Sequence, residues 1–145
     1  MLALVVHCKN QRYALPCERV REVIARVPLD AIPRAPAHVA GVFNHRGSVT
    51  TVLDLSVLLC DTPSAARLST RIIVLEHRER LALLAERVTH TARIETAGQS
   101  VNAACSAQFT SAVVVDAAGM LPILDLEQVL RAALLEREIA SRHVA

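Results

Sequence analysis

Tryptophan is absent from these 145 residues, and the aromatics are limited to Tyr13, Phe43 and Phe109. Small β modules that bind single-stranded nucleic acid stack bases on aromatic side chains, so this poverty argues against that role. Glycine is nearly as scarce, with four in all and no Gly-rich phosphate loop among them. G-x-S-x-G and H-E-x-x-H are also missing. His7, His38, His45, His77, His90 and His143 show no i, i+4 pair or other ligand spacing, which leaves no metal site, no cofactor and no catalytic residue to nominate. Cys8, Cys17, Cys60 and Cys105 are scattered through apolar surroundings without a C-x-x-C, the pattern of buried free thiols in a reducing cytoplasm. Lysine occurs once; with fifteen arginines against fourteen acids the net charge is +2. That balance gives little pull toward nucleic acid or an anionic membrane. No basic segment precedes the first apolar run, and no run approaches the length of a membrane span, so a cytoplasmic chain without direct membrane insertion is expected.

What is present is a strand-forming hydrophobic sequence. The chain is 52% hydrophobic and 21% charged, which excludes disorder. Val39–Asn44 and Val49–Leu53 are β-type runs on either side of a polar turn, His45-Arg46-Gly47-Ser48, where Gly47 can take a positive φ. Asp54 then precedes a short apolar run, and its carboxylate can cap a helix over Leu55–Leu59. The phrase returns at Ala112–Leu130, where Leu124-Asp125-Leu126 falls on Leu53-Asp54-Leu55 with an offset of 71. Arg12-Tyr-Ala-Leu-Pro-Cys-Glu-Arg-Val20 likewise falls on Arg80-Leu-Ala-Leu-Leu-Ala-Glu-Arg-Val88 with an offset of 68, six of the nine positions being identical. The runs before them, Leu2–Cys8 and Arg71–Glu76, align without a gap. Repetition at a fixed period implies two related β lobes, each too small to be stable alone.

Taken in order, Leu2–Cys8 and Arg12–Leu15 form an opening hairpin that Pro16 ends. A short helix at Cys17–Val20 can precede a strand over Val20–Ala25. Pro28, Pro33 and Pro36 punctuate an irregular segment, and Asp61-Thr-Pro-Ser-Ala65 is the expected linker between lobes. Further strands are expected at Arg71–Glu76, Leu81–Ala85, Val88–Ile94, Ala112–Val115 and Met120–Leu124, with a loop over Glu95–Ser111. A final helix begins at Asp125, where Gln128 completes an Asp-x-x-Gln capping box. Leu126, Val129, Leu130, Ala133 and Leu134 form its apolar stripe. Asp54 and Asp125 are thus read as structural caps rather than a catalytic pair. On spacing alone Arg46 is either a solvated charge, a partner for Glu22 or a donor to another protein's carboxylate. Spare strand edges suit an interaction module; a small barrel binding nucleic acid or a small ligand is the alternative.

The chain resembles the CheW family, the coupling proteins of chemotaxis-type signalling, over nearly its whole length. The resemblance is carried by the opening strand–turn–strand of Leu2–Pro16, by Val20-Arg21-Glu22-Val23, and by a long motif. That motif is filled by Pro36, Val39, Gly41, Val42, Asn44, Arg46, Gly47, Val49, Val52, Leu53, Asp54 and Leu55. It implies a mainly β fold of two SH3-like five-stranded barrels with short helices and a C-terminal helix. Residues 1–145 would form one CheW-like domain, with a first lobe near 14–62 and a second near 63–139. The N-terminal strand, 1–13, can complete the second lobe. It also implies a non-enzymatic adaptor between methyl-accepting chemoreceptor tips and the regulatory domain of a CheA-type histidine kinase, able to join other CheW-like domains in rings at receptor arrays of the inner membrane. By position Glu22 and Arg46 match a family pair, and Gly41, Val42, Asn44, His45 and Gly47 share their surface. The chain departs from the pattern at His45, where an apolar residue is usual, in the Ala- and Ser-rich segment 102–110, and at the Asp-Ala-Ala-Gly turn after Val115.

Overall fold

Lys9 and Asn10 both take positive φ, 50° and 67°, a geometry that reverses two strands without splaying them. They join β1 (Leu2–Cys8) to β2 (Gln11–Pro16). Pro16 lacks the N–H that would extend the ladder, and one 3-10 turn, Cys17–Arg19, leads into β3 (Val20–Ala25). Next come β4 (Val39–His45), β5 (Ser48–Asp54), a short helix α1 (Leu55–Cys60), β6 (Arg71–Leu75), β7 (Leu81–Ala85) and β8 (Arg87–Arg93). β9 (Thr110–Asp116), β10 (Gly119–Leu124) and the helix α2 (Leu126–His143) complete the chain. The structure is a computed structural model that describes residues 1–95 and 109–143, with side chains described as far as Leu134. Cys105 and most of the segments expected to be irregular, 95–111 and 102–110, lie outside the described residues.

The strands form two five-stranded sheets, ordered β3-β6-β7-β5-β4 and β8-β1-β2-β10-β9. Both orders follow one wiring diagram. An edge strand joins an antiparallel hairpin, a parallel step follows (β7 to β5, β2 to β10), and a second antiparallel hairpin closes the sheet. The sequence offsets return as register, since Val52 opposes Ala82 in one sheet and Ile123 opposes Ala14 in the other. Strands between residues 20 and 85 build a central lobe; the two ends of the chain, 2–16 and 87–124, build a terminal lobe.

This partition corrects the division expected at 62 and 63. β6 and β7 complete the first lobe's sheet, while β2 travels with β1 into the second. Nor does Asp61-Thr-Pro-Ser-Ala65 link lobes, because β5 and β6 on either side of it share the central sheet. Asp61 instead closes α1 in the left-handed conformation, its N–H donating to the Val57 carbonyl. The crossings fall at Cys17–Arg19 and at Glu86, the two copies of the repeated Glu-Arg-Val.

Three apolar clusters explain the exchange. Ala3, Val5, Ala14, Val114, Leu121 and Ile123 fill the terminal lobe, and Phe43, Val52, Ile72, Val74, Ala82 and Leu84 fill the central one. Between them lies a shared core in which Leu4, Val6 and Leu15 meet Leu53, Ile73, Leu75 and Leu83 under α2's Leu126, Val129 and Leu130. β1 and β6 are buried on both faces, which is why they read as continuous apolar runs rather than alternating ones. Leu4 and Val6 stand to Ile73 and Leu75 at a spacing of 69. The ungapped offset of 68 would put Leu4 on Ile72 and turn every side chain to the wrong face; the extra residue lies between Leu4 and its partner Leu15, which are one position further apart than Ile73 and Leu83. Burial at about 0.8 kcal/mol per CH₂ makes this shared layer the main reason the lobes hold together.

Candidate partner-binding surface

The β4–β5 turn is two residues, Arg46 and Gly47, with φ of 52° and 86°. Positive φ at both positions is the type I′ requirement, and Arg46 meets it without being glycine. The Asn44 side chain compensates: its Oδ1 accepts the Gly47 N–H at 2.8 Å. The turn projects two side chains toward Glu22 on β3. Arg46 Nη2 donates to Glu22 Oε2 at 3.1 Å, and His45 Nε2 contacts Glu22 Oε1. Glu22 is therefore shared, with Arg46 78% exposed over it and His45 tucked beneath at 13%. The His45 ring also tilts against buried Phe43, with centroids 5.9 Å apart. The family departure at His45 is thus part of the polar cluster, a contact that sequence reasoning missed.

Neighbouring charges widen the surface. Arg21 on β3 grips Glu76 through Nε at 3.1 Å and Nη2 at 2.7 Å. That grip holds the Glu76 carboxyl below its ordinary range, the hydrogen bonds from Arg21 being the main cause. Arg21, Glu22, His45, Arg46, Ser48 and Arg80 line one open depression beside the turn. Val49, next along β5, leaves 70% of its surface exposed.

Two of the expected contact residues lie against the segment around Asp30. Gly41 is buried, with φ of 149°, and a Cβ there would stand 2.7 Å from the Asp30 carbonyl oxygen. Its lack of a side chain lets the Pro-rich segment close over β4, which removes it from the docking surface. Val42 is half-buried, and its backbone exchanges two 2.9 Å hydrogen bonds with Asp30. That bridge blunts the β4 edge where a partner strand would otherwise pair.

Asp54 and Asp125 sit at helix starts, but in unequal settings. Asp54 is 5% exposed and accepts from the Ser56 N–H at 3.0 Å, the Ser64 N–H at 2.9 Å and the Ser64 hydroxyl at 2.6 Å. Asp125 accepts from the Gln128 N–H at 3.2 Å. The reciprocal half of the expected capping box is absent. Gln128 Oε1 accepts the Phe109 N–H at 2.9 Å instead, while the Asp125 N–H donates to the Phe109 carbonyl. Buried His38 extends the ties, its Nε2 lying 3.1 Å from the Ala133 carbonyl on α2. Cys8, Cys17 and Cys60 are free thiols, and burial pushes the Cys8 thiol up to about 12. Among the described residues no group of three or more His, Cys, Asp or Glu is placed to hold a metal ion, and no helix is long and apolar enough to cross a membrane.

Twin five-stranded SH3-like sheets interlocked through one core, with a charged hairpin tip at the rim, define a two-lobed β module. Residues 2–134 match the CheW-like domain, and the chain belongs to that family. It is 28% identical over 123 residues to the probable chemotaxis protein CheW of Rhizobium etli, covering 81% of this chain and 79% of the relative. The chemotaxis protein CheW of Helicobacter pylori is 28% identical over 87 residues, 59% of this chain. There the match spans about half of the relative's length, 53%. The protein FrzA of Myxococcus xanthus is 38% identical over 63 residues, 43% of this chain and 39% of the relative. The crystal structure of scaffolding protein TtCheW from Thermoanaerobacter tengcongensis shares the fold, with a TM-score of 0.77 and 22% identity over 86% of this chain and 84% of that one.

Proposed function

We propose that this chain is a non-enzymatic adaptor coupling methyl-accepting chemoreceptor tips to the regulatory domain of a CheA-type histidine kinase, in receptor arrays on the cytoplasmic face of the inner membrane. The observation that carries the reading is the family match over residues 2–134, which includes the Asn44–Gly47 tip and the Glu22 that binds it. Glu22, Val42, Asn44, His45, Arg46 and Gly47 are the partner-facing set. The same sheets offer edges β3, β8 and β9, which suit pairing with other CheW-like domains in rings. The test is reconstitution with the kinase regulatory domain and a receptor-tip fragment from the same genome. Co-sedimentation of all three and receptor-dependent control of kinase autophosphorylation are expected. A folded chain that binds neither component would overturn the adaptor role.

A further inference from the structure

We infer that Arg80 is the centre of a docking site for a carboxylate on an acidic segment of a partner protein. The inference rests on comparing equivalent positions in the two lobes. In the terminal lobe Arg12, at the start of β2, makes two parallel hydrogen bonds to Asp116 at the end of β9, both 2.8 Å. The repeat offset of 68 carries Arg12 onto Arg80, before β7, and the offset of 71 carries Asp116 onto His45. Register supports both assignments. Asp116 opposes Gly119 across its turn as His45 opposes Ser48, and Thr51, three residues after Ser48, opposes Leu81. The central lobe therefore keeps the arginine and lacks the acid.

Neighbouring residues do not replace it. His45 is turned to Glu22, and Glu22 is shared with Arg46. Glu76 is gripped by Arg21 at hydrogen-bond distance and feels the Arg80 charge only as a lesser, through-space attraction. Among the described residues the exposed Arg80 side chain makes no hydrogen bond or ion pair, although its carbonyl anchors the Thr51 N–H at 3.0 Å and fixes the backbone. Arg80 lines the open depression with Arg21, Arg46, Ser48, His45 and Glu22, the one acid there already being taken by His45 and Arg46. A planar donor fork held on a rigid strand start and facing open solvent matches a carboxylate, which takes both forks at once. Arg12 and Asp116 display that geometry in the same molecule.

The partner class rests on the adaptor reading, but the test does not. The probe is a capped tetraglutamate peptide, titrated into the full chain while arginine Nε–Hε NMR signals are followed. Arg80 should shift on addition of peptide and Arg12 should not. Arg80→Gln should weaken binding by about tenfold or more, the size of a charge-assisted hydrogen bond. His45→Asp, which restores the in-chain acid, should also weaken it while leaving the fold intact by circular dichroism. Wild-type peptide affinity in Arg80→Gln would overturn the site. So would equal shifts from inorganic phosphate or a mixed-sequence oligonucleotide, which would make the depression a general anion site. Failure to bind kinase or receptor with peptide binding intact would instead count against the adaptor reading alone.

Discussion

The β4–β5 and β9–β10 hairpins are two copies of one element, and their tips have been put to different uses. In the terminal lobe the turn is closed on itself: Asp116 takes both forks of Arg12 and also accepts the Ala118 N–H at 2.9 Å. In the central lobe the turn carries Arg46 and Gly47 in place of Ala117 and Ala118, and its charges face outward over Glu22. One tip uses its hydrogen-bonding capacity within the fold, and the other leaves part of it exposed to solvent. Duplication explains how this division arises. Two equivalent hairpins are available, and the shared core fixes both, so either tip can change without loss of the sheet beneath it.

The comparison is broken most severely at the layer the lobes share. Leu83→Ala removes a fully buried side chain from that layer, as does Leu15→Ala at the equivalent position. Each should cost about 2–5 kcal/mol and lower a single cooperative transition by a similar amount. Chemical denaturation followed at two signals, one from each lobe, checks this. Two separated transitions would show that the lobes fold independently. Val52→Ala, confined to the central lobe's own core, should cost less, about 1–3 kcal/mol.

The two capping aspartates come next. Asp54→Ala strands the Ser56 and Ser64 N–H groups and leaves the Ser64 hydroxyl only its Ser56 partner, so about 2–3 kcal/mol is expected. Asp125→Ala loses one 3.2 Å bond at an exposed helix start, so about 1 kcal/mol is expected. Thermal melts should rank them in that order, with partner binding retained by the folded protein in both cases. Normal melting with lost function in either variant would reopen a chemical role for these carboxylates.

How much of this was legible in the sequence follows from the same comparison. β1 and β7 were read with their final bounds because apolar runs between polar turns leave little freedom. The repeat disclosed which elements are equivalent, but not which copies pair. Leu4 and Leu15 present the shared core with the same kind of face as Ile73 and Leu83, so either hairpin could serve either sheet on pattern alone. Sequence order suggested a division near 62 with only residues 1–13 crossing to the second lobe, and long-range pairing moved that division. The Glu22–Arg46 pair was visible as one of several options. His45 was not, because a histidine in a polar turn carries no signal until β3 is placed beside it. Gly41 was misread for a related reason, since what it admits, the Leu29–Asp30 backbone, is remote in sequence.

A smaller effect separates the two tips by pH. The Arg12 hydrogen bonds hold the Asp116 carboxyl down to about 2, against an ordinary value of 3.8. A depressed folded-state value contributes stability that is present above pH 3.8 and lost as pH falls through about 2. Asp116→Asn should therefore melt earlier than the parent chain at pH 6, and the two curves should converge between pH 4 and 2, as far as both remain folded. A constant difference across that window would mean that the lost contact is packing rather than charge.

The smallest expected effect on stability is at Arg46, where the effect on function should be largest. Its side chain is 78% exposed, with one 3.1 Å bond to Glu22, and exposed pairs of that kind contribute about 0–1 kcal/mol. Arg46→Ala should barely move the melting temperature. Arg12→Ala, the corresponding loss at the closed tip, should lower it more, because two 2.8 Å bonds on a less exposed guanidinium are lost together. Binding should show the opposite order. A fixed donor at an interface is not replaced by water in the same geometry, so kinase and receptor-tip pull-downs should weaken for Arg46→Ala and persist for Arg12→Ala. Full binding by a folded Arg46→Ala protein would show that the open tip is a solvated turn, and that the partner surface lies on another part of the sheets.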